Sequence, residues 1–442
     1  MHADQGFLNA NGTIIGKETT MSDWNVTLEK SIALFYTTAT LHLDTSGKKL
    51  VATPTGSRQD NLLQQYAQYE TAAAGADMLW NAGLQTSGSN LDRILAFTMD
   101  AIQAGQTGTA SRAMAASAGN TLTSLMGAQK ADYRYQQTLI RNRMTIMGLP
   151  EGYDFGNELP LWNTWIQANG TYNNLDGSGD AAGFRFNTWG GTFGIDANVS
   201  EKLTLGMAIT ASYGKLTADA ADHLSGDMDT YYANLFARYQ SGKWGHNFIV
   251  TAGRSDAKVS RTVCFGNDSY IASSTTNGLT WGAMYEATYD IALNDNHSAI
   301  FQPLLNVSVM KNKLDSFAES GADNAGLHVS DLEGTTATFS LGGRLMGLVG
   351  SNFFGRESLG EVRLQIAQDC GDTRNEGTVG FLASPAYGRT VKGSKAGTTA
   401  IQCGTSLSIP TGDQGSIFME ANADIRTRMT TINGSIGYRY NF

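Results

Sequence analysis

The C-terminal two thirds of the sequence, from about residue 159 to residue 442, alternate apolar and polar residues with a period of two. Such alternation gives a β-strand one apolar face and one polar face. In the segment KLTLGMAITASYG, one face holds Leu203, Leu205, Met207 and Ile209. The segment LTWGAMYEATYDIAL keeps the alternation for about fifteen residues, which is longer than most strands of globular proteins. The pattern predicts about twelve long strands.

The connectors between these strands alternate in length. The turns SEK, QSGK, NDNH and PTGDQG are short, whereas four links are long and polar, near residues 217–227, 260–272, 315–331 and 372–396. Tight turns at one end and long loops at the other are typical of antiparallel membrane barrels. The alternation also changes phase between Phe186 and Phe193, which predicts a β-bulge near Gly190 and Gly191.

A soluble β-sheet protein and a membrane β-barrel both have alternating strands, and the composition of the two faces distinguishes them. Here the polar faces hold mainly glycine, serine, threonine and asparagine, and charged residues make up 16% of the chain against roughly 25% in soluble domains. The apolar faces end in aromatic residues, as at the two interfaces of a membrane. Because an open sheet would leave backbone groups unpaired in lipid, we predict an all-β, 12-stranded antiparallel outer-membrane β-barrel.

The occasional charged residues on the polar faces are predicted to line the barrel lumen. They are Glu286, Asp290, Arg344, Glu361, Arg363, Glu420 and Arg439. A soluble β-structure with enzymatic activity is the competing hypothesis, and it requires the apolar faces to build a dry core. The two hypotheses therefore differ in what covers the leucine and tyrosine side chains, lipid or protein.

The sequence before these strands has a different composition. Residues 1–56 predict short strands and turns, whereas residues from about 60 to 147 are rich in alanine, leucine, glutamine and methionine at helical spacing. In SNLDRILAFTMDAIQAG, one helix face holds Leu91, Ile94, Leu95 and Thr98. The last helix, ADYRYQQTLIRNRMTIMG, is polar on more than one side, so it is suited to a wet, charged surrounding.

The order of these parts resembles one family, the monomeric autotransporters of type V secretion. The similarity includes the segments YYANLFARYQSGKWGHNFIVTAG, YEATYDI, FQPLLNVS and GYRYNF, and the upstream segment SLMGAQKADYRYQQTLIRNRM. The resemblance implies an outer-membrane translocator that secretes its own N-terminal passenger and anchors it at the cell surface. It divides the chain into a β-helical passenger remnant (1–56), a helical linker (57–130), a lumenal plug helix with its connector (131–158) and the barrel (159–442).

The resemblance also implies a helix in the barrel lumen, which we expect at residues 131–150. Its site residues are Arg134, Arg141, Asn142 and Arg143. The three arginines either face lumenal carboxylates or leave those carboxylates solvated in a wet pore, and the two alternatives are equal at this point. Some family members cleave the passenger at an Asn–Asn bond in this helix. Such cleavage is not expected here, because the nearest pair, Asn173–Asn174, lies in the first strand.

The chain ends on an alternating strand, INGSIGYRYNF. Closure of a barrel requires this strand to pair with the first one. Within it, Ser435, Gly437, Tyr440 and Phe442 resemble the C-terminal assembly signal of bacterial outer-membrane proteins. The implied partners are outer-membrane lipid and lipopolysaccharide, the barrel-assembly machinery, periplasmic chaperones and the chain's own passenger. The implied state is a monomer in the bacterial outer membrane, with the passenger at the cell surface.

Other functions have little support in the sequence. An excess of 40 acidic over 31 basic residues argues against nucleic-acid binding. The six histidines are scattered and no G-x-S-x-G motif is present, so neither an enzyme nor a cofactor is predicted. The segment DGSGDAAG begins like a calcium loop but lacks the later glutamate, and the three cysteines lack zinc-ligand spacing, so no metal is predicted.

Three questions stay open in the sequence. Cys370 and Cys403 fall on neighbouring predicted strands, where they are either close together or simply small strand residues. The cations of the 372–396 link either contact lipopolysaccharide phosphates or are solvated. They are Arg374, Arg389, Lys392 and Lys395. The alternative function is a plugged outer-membrane pore or a surface-binding, adhesin-like barrel.

Overall fold

The computed structural model describes residues 39–44, 49–54, 61–82, 89–147, 162–294, 298–351, 355 and 357–442. The strands predicted before residue 39 and the connector at 148–161 lie outside the described residues. Near the start of the described part, β1 (Ala39–Asp44) and β2 (Lys49–Pro54) form an antiparallel pair. They belong to a sheet of their own.

Twelve long strands build the barrel in the described part of the chain. They are β3 (Trp162–Leu175), β4 (Gly183–Ser200), β5 (Leu203–Asp219), β6 (His223–Ser241), β7 (Trp244–Phe265), β8 (Asp268–Tyr289), β10 (Ala299–Leu314), β13 (Leu332–Ser351), β14 (Glu357–Gly371), β17 (Thr399–Pro410), β18 (Gly415–Arg426) and β19 (Met429–Asn441). The shorter strands are β9 (Ile291–Ala292), β11 (Phe317–Ala318), β12 (Leu327–Val329), β15 (Glu376–Phe381) and β16 (Arg389–Lys392). The long strands pair with their neighbours in chain order, and all of these pairings are antiparallel.

The barrel is closed by its first and last strands. β19 pairs with β3 along its whole length, with Ile436 opposite Ala168. At the end of this seam, the Trp162 amide donates to the Phe442 carbonyl oxygen at 3.2 Å, and the Phe442 amide donates to the Trp162 carbonyl oxygen at 3.0 Å. We call this end of the barrel the terminus end and the opposite end the loop end. Closure gives each of the twelve long strands a partner on both sides within the described residues, which confirms the predicted twelve-stranded antiparallel barrel.

The apolar faces of the strands point outward. Ile209 and Leu341, for example, are 63% and 68% exposed. Aromatic pairs stand near both limits of this apolar surface, with Trp244 and Tyr289 at the terminus end (ring centroids 4.9 Å apart) and Trp189 and Tyr213 towards the loop end (5.7 Å). Lipid, not protein interior, therefore covers the apolar faces.

The strands β4 to β8 extend beyond this apolar belt, and there the two faces exchange their polarity. On β7, the outward side chains are apolar at Phe248 and Val250 but charged at Arg254, Asp256 and Lys258. Over the same stretch the inward side chains become apolar, as at Val259 and Phe265, which are both buried. The exchange follows from the solvent, because beyond the hydrocarbon the outer face meets water and the inner face can enclose a core.

This exchange of polarity corrects one prediction. The predicted bulge at Gly190 and Gly191 is wrong, since pairing with β3 and β5 continues through both residues. Phe186 points inward and Phe193 outward because they lie on opposite sides of the exchange, and the register of β4 with β5 shifts only between Asn198 and Ser200.

The prediction of long links at 217–227 and 260–272 is also wrong, because these residues mostly continue the strands β5 to β8. The other two long links hold β11, β12, β15 and β16, which form a separate four-stranded sheet at the loop end.

Three helices fill the space inside these extended strands: α1 (Glu70–Ala82), α2 (Asn90–Gln103) and α3 (Thr107–Ser117). With the 3-10 helix Leu62–Tyr66, they form a unit that we call the cap, residues 61–82 and 89–117. The cap shares one continuous apolar core with the inward side chains of the loop end. The predicted apolar face of α2 is buried in this core, and it holds Leu91, Ile94, Leu95 and Thr98.

A fourth helix, α4 (Ser124–Met147), follows the cap after the 3-10 helix Asn120–Thr123 and lies inside the barrel. It confirms the prediction of a helical segment in the lumen, although it begins seven residues before the predicted start at 131 and residues 148–150 lie outside the described part. None of the described helices is long and apolar enough to cross a membrane.

Candidate functional site

The lumen of the barrel is occupied by α4, which runs from the loop end to the terminus end. Near its start, the Lys130 ammonium donates to the carbonyl oxygen of Asp372 at 2.8 Å. Near its end, Arg143 forms an ion pair with Asp196 at 2.9 Å. With 24 residues at about 1.5 Å each, the helix extends over roughly 36 Å. A helix this polar is unsuited to lipid, and in the lumen its side chains find polar partners.

The three helix arginines named from the sequence have different partners on the wall. Arg134 forms an ion pair of 2.6 Å with Asp369 on β14. Arg141 donates to the Gln365 side-chain oxygen at 3.1 Å, and its Nε lies 4.0 Å from Glu286. Arg143 pairs with Asp196, and its guanidinium lies 5.7 Å from the ring centre of Trp165. The structure thus favours carboxylate pairing over simple solvation for Arg134 and Arg143.

Asn142 connects the helix to the strands β14 and β18. Its amide nitrogen donates to Glu420 at 3.0 Å, and its amide oxygen accepts from Arg363 at 2.7 Å. Arg363 also donates to the Asn422 side-chain oxygen at 2.8 Å. An amide can donate and accept at once, so Asn142 bridges a carboxylate and a guanidinium that lie on different strands.

A row of charged side chains crosses the wall beside Asn142. Arg344 lies between two carboxylates, 3.0 Å from Glu286 and 3.1 Å from Glu361. Glu361 is also 3.3 Å from Arg363. All four side chains are almost completely buried. The signs alternate along this row from β8 through β13 to β14, so each buried charge lies next to an opposite one, which limits the cost of burial.

The last two predicted lumen residues lie nearer the terminus end. Asp290 accepts from Gln302 at 2.6 Å and from Gln240 at 3.2 Å. Arg439 lies on β19, and its Nε atom has no hydrogen-bond partner among the described residues. Beside them, Arg238 donates at 3.3 Å to the carbonyl oxygen of Met144, one of the carbonyls that the end of a helix leaves unpaired.

The helix and the wall carry opposite charge excesses in the described residues. The wall has five arginines, namely Arg238, Arg344, Arg363, Arg426 and Arg439, and seven carboxylates, namely Asp196, Glu286, Asp290, Glu361, Asp369, Glu420 and Asp424. The helix has four cations, namely Lys130, Arg134, Arg141 and Arg143, and one carboxylate, Asp132. An acidic lumen therefore encloses a basic helix, and this complementarity is a physical reason for the helix to stay inside.

Two glycines on β8 let the helix approach the wall closely. A β-carbon added at Gly278 would collide with the Gln129 amide, and one added at Gly282 would collide with the Tyr133 hydroxyl. Both glycines belong to the inward face of the strand. Because any larger residue would displace the helix or the strand, the glycine positions contribute to the fit between α4 and the barrel.

The residues of the predicted assembly signal lie on β19 at the terminus end. A β-carbon at Gly437 would collide with the Phe418 ring, which covers this glycine on the inner side. Tyr440 and Phe442 point outward with ring centroids 5.6 Å apart, and Phe442 is 56% exposed. The side chain of Ser435 is on the inner face of β19, and its hydroxyl has no hydrogen-bond partner among the described residues. A role of these residues in assembly stays a prediction.

A buried ionic cluster at the loop end was not predicted from the sequence. The guanidinium of Arg261 on β7 donates twice to Glu319, each time at 2.7 Å. It also donates to the carbonyl oxygen of Ala116 at the end of α3 at 3.1 Å and lies 3.6 Å from Asp222. The side chains of Arg261, Asp222 and Glu319 are no more than 1% exposed. A single arginine among inward valines in the segment VSRTVCF was the available signal.

The chain passes from the cap to the lumen through a buried turn at residues 118–123, which we call the elbow. Gly119 has a φ of +65°, a left-handed conformation that glycine adopts without strain. The Asn120 side chain donates to the Lys392 carbonyl oxygen and accepts from the Ala182 amide, so it joins two different loops. The Thr121 hydroxyl donates to Asp222 at 2.7 Å. These contacts fix the point at which the chain enters the barrel.

The barrel loops also complete the first turns of two cap helices. The amide of Ala72 in α1 donates to Asp180 of the β3–β4 loop at 2.7 Å. The amide of Leu91 in α2 donates to the Asn324 side chain of the β10–β13 link at 3.3 Å. First-turn amides have no partner within their own helix. The loops thus supply first-turn partners to both helices, in α2 in addition to its own N-cap Ser89, which couples helix formation to docking.

Ion pairs on the surface hold α1 against the link between β14 and β17, which includes β16. Glu70 lies 2.8 Å from Lys392 and 3.1 Å from Arg374, and Asp77 lies 2.9 Å from Arg389. Three of the four loop cations considered as lipopolysaccharide contacts therefore pair with the chain's own helix instead.

Acid should weaken the docking of α1. The hydrogen bond from Lys392 lowers the pKa of Glu70 below its ordinary value. A carboxyl group whose pKa is lower in the folded state contributes stability that is present above its ordinary pKa and is lost as the pH falls. Between about pH 5 and pH 3 we expect the protection factors of the α1 amides, taken against the intrinsic exchange rate at each pH, to fall before those of α4. An equal fall in both helices would contradict this prediction, and a Glu70→Gln variant should show a weaker pH dependence.

The remaining candidate residues do not come together. Cys264, Cys370 and Cys403 are free, and Cys403 lies opposite Leu364, six positions along β14 from Cys370. His223 pairs with Asp219, and His246 bonds with the Tyr285 hydroxyl at 2.8 Å on the outer face. Within the described ranges, no group of three or more metal-ligating side chains is arranged to hold an ion.

Comparison with known proteins gives three findings. A model of the autotransporter β-domain family matches residues 164–442. The translocator domain of the autotransporter NalP from Neisseria meningitidis has a similar fold, with a TM-score of 0.52 and 15% sequence identity, over 71% of this chain and 98% of that chain. Esterase EstA from Pseudomonas aeruginosa is 28% identical over 155 residues, which are 35% of this chain and 23% of the esterase. This chain thus spans about a quarter of the length of that relative.

Proposed function

We propose a function that proceeds from one premise: this chain belongs to the autotransporter β-domain family. The barrel is the outer-membrane translocator of an autotransporter, and the chain is located in the bacterial outer membrane with its passenger side at the cell surface. We infer that residues 1–56 end such a passenger, that residues 57–130 link it to the barrel and that residues 131–158 contribute the lumenal plug and its connector.

One observation carries this proposal, namely the route of the chain. The cap lies at the loop end, α4 passes through the lumen, and β3 begins at the terminus end, where Phe442 also lies. The cap and the C-terminus are therefore on opposite sides of the membrane. A chain that starts on one side reaches this arrangement only if its upstream part crosses to the other side.

The lumenal network suggests how the translocator closes after use. We infer that α4 seals the lumen, because its basic side chains meet an acidic wall and Asn142 bridges Glu420 and Arg363. The carboxylates Glu286 and Asp369 would then hold the helix arginines directly. Glu361 would act through Arg363, which donates to Asn142. Polar contacts that exist only when the helix is present favour the occupied state.

The partners follow from location and fold. The exposed apolar belt contacts outer-membrane lipid, and lipopolysaccharide is the lipid we expect around its outer part. The exposed aromatic end of β19 supports recognition by the barrel-assembly machinery, with periplasmic chaperones acting earlier. The β-domain is a transport module and is not itself catalytic. The esterase activity of the Pseudomonas relative is not assigned to this chain, because the match covers 23% of that protein.

Surface display tests the function. An epitope placed before residue 39 of the full chain, expressed with an export signal, should be bound by antibody on intact cells. A matched variant lacking Phe442 should lose surface display together with the assembled, heat-modifiable barrel. An assembled barrel whose epitope becomes accessible only after the outer membrane is permeabilised would contradict translocation.

A further inference from the structure

The stretch between α2 and α3 is the most accessible part of the chain between the start of α2 and the end of α4. Seven consecutive residues, 103–109, are exposed, whereas the elbow and most of α4 are buried. Gly105 has a φ of +72° and open space around it. Exposed turns with small residues are the sites at which proteases cut folded proteins. An external protease can therefore reach the link here, upstream of the elbow.

The helices before this stretch have their own contacts with the barrel. α1 is held by the ion pairs of Glu70 and Asp77 and by the Asp180 cap. α2 is held by its Asn324 cap and by an ion pair between Arg93 and Asp268. None of these contacts depends on the covalent connection through residues 103–109.

The apolar contacts of α1 and α2 with the barrel are also independent of the covalent connection through residues 103–109. Met78, Leu79, Ile94 and Leu95 are buried in the core that also contains Phe265 and Phe381 of the barrel loops. Apolar surface buried in a shared core is stabilising whether or not the two sides belong to one continuous chain. The docked helices therefore resemble one side of a protein–protein interface.

We propose that the loop end of the barrel is a non-covalent docking site for α1 and α2, so that cleavage within residues 103–109 leaves the upstream chain bound at the cell surface. The proposal rests on the proposed function, because it assumes that the loop end faces outward. The occupant is the chain's own segment 61–103. The consequence is that processing at this exposed stretch cuts the passenger from the barrel without releasing it.

The experiment uses the full chain in the outer membrane of intact cells. A recognition sequence for a site-specific protease is inserted between Gly105 and Gln106, and an epitope marks the N-terminal end. Antibody binding before protease addition tests the proposed function separately. After protease addition, cleavage is followed by gel electrophoresis, and the epitope is measured in the membrane and in the supernatant.

We expect complete cleavage on intact cells, with most of the epitope remaining in the membrane fraction. Release of the epitope at the rate of cleavage would overturn the proposal, and so would a link that is cut only after denaturation. If antibody fails to bind before cleavage, the proposed function fails instead, and the two failures are thereby distinguished.

Charge reversal tests the assigned contacts in the same cleaved protein. Glu70→Lys combined with Asp77→Arg places like charges beside Lys392 and Arg389, and we expect release to become about tenfold faster. Adding Arg389→Asp to this double variant restores an ion pair of opposite charges between positions 77 and 389. Release should then become slower again. Arg112→Glu reverses an exposed charge on α3 and should leave release unchanged. Equal retention in the parent protein and all three variants would overturn the role given to these ion pairs.

Discussion

Replacing Arg261 with methionine is expected to open the cap while the barrel stays folded. Methionine has a similar length but no charge, so Glu319 and Asp222 would remain buried without their cation. Removing one partner of a buried ion pair costs about 3–5 kcal/mol. The open population of the cap should therefore rise by roughly two to four orders of magnitude. Amide hydrogen exchange of α1 to α3 measures this opening, and heat-modifiable migration on gels reports the intact barrel.

The same strand offers a matched control. Arg254 stands on the outer face of β7 and pairs with Asp256 on the surface, where its side chain is 60% exposed. Arg254→Met should change cap exchange little, because exposed ion pairs contribute at most about 1 kcal/mol. A double variant, Arg261→Met with Glu319→Met, should lose less stability than Arg261→Met alone. Equal effects of the two single variants would show that burial of the cluster does not matter.

A barrel without residues 1–147 is expected to conduct ions and to prefer cations. Removal of α4 leaves a pore with the cross-section of one helix, about 10–12 Å, which admits hydrated ions. The wall left behind has seven carboxylates and five arginines, so its field favours cations. The intact chain should conduct far less. Single-channel recording in planar bilayers, with reversal potentials measured in a salt gradient, gives both quantities.

The control for selectivity is made in the same truncated barrel. Glu420→Gln with Asp290→Asn removes two wall carboxylates that have no ion-pair partner among the described residues, and should reduce the cation preference. Glu357→Gln changes an exposed carboxylate at the strand end and should not. Anion preference of the unmodified truncated barrel would contradict the charge assignment. A full chain lacking only 131–150 that conducts ions and still displays its epitope would count against a role of the plug helix in secretion.

The barrel itself was predictable because hydrocarbon imposes one rule on every strand. Outward residues such as Ile209 and Leu341 must be apolar, and closure follows from the cost of unpaired backbone groups. The charged residues at inward positions, such as Arg344 and Glu361, could be recognised from the alternation of apolar and polar residues alone. Their pairing could not, because it depends on which strands are adjacent and at which register.

The loop end was not predictable by the same rule, since the rule changes where the membrane ends. The sequence pattern predicts a change of phase after Phe186, although the strand is continuous and only its surroundings differ. The cap was equally hidden, because its helices are completed by Asp180 and Asn324, which are more than a hundred and two hundred residues away in the chain. The local sequence of a helix does not predict caps that come from such distant residues.

The route of α4 makes this molecule a ring threaded by its own chain. The ring has no gap between β3 and β19, and its opening is filled by a single helix about 10–12 Å across. Three packed helices are wider than one, so α1 to α3 cannot be drawn through as a folded unit. They must therefore pass in extended or singly helical form and assemble afterwards, or the ring must close around a strand already in place. Once assembled, the three-helix bundle is too wide to pass through the barrel opening. Its return to the starting compartment therefore requires unfolding.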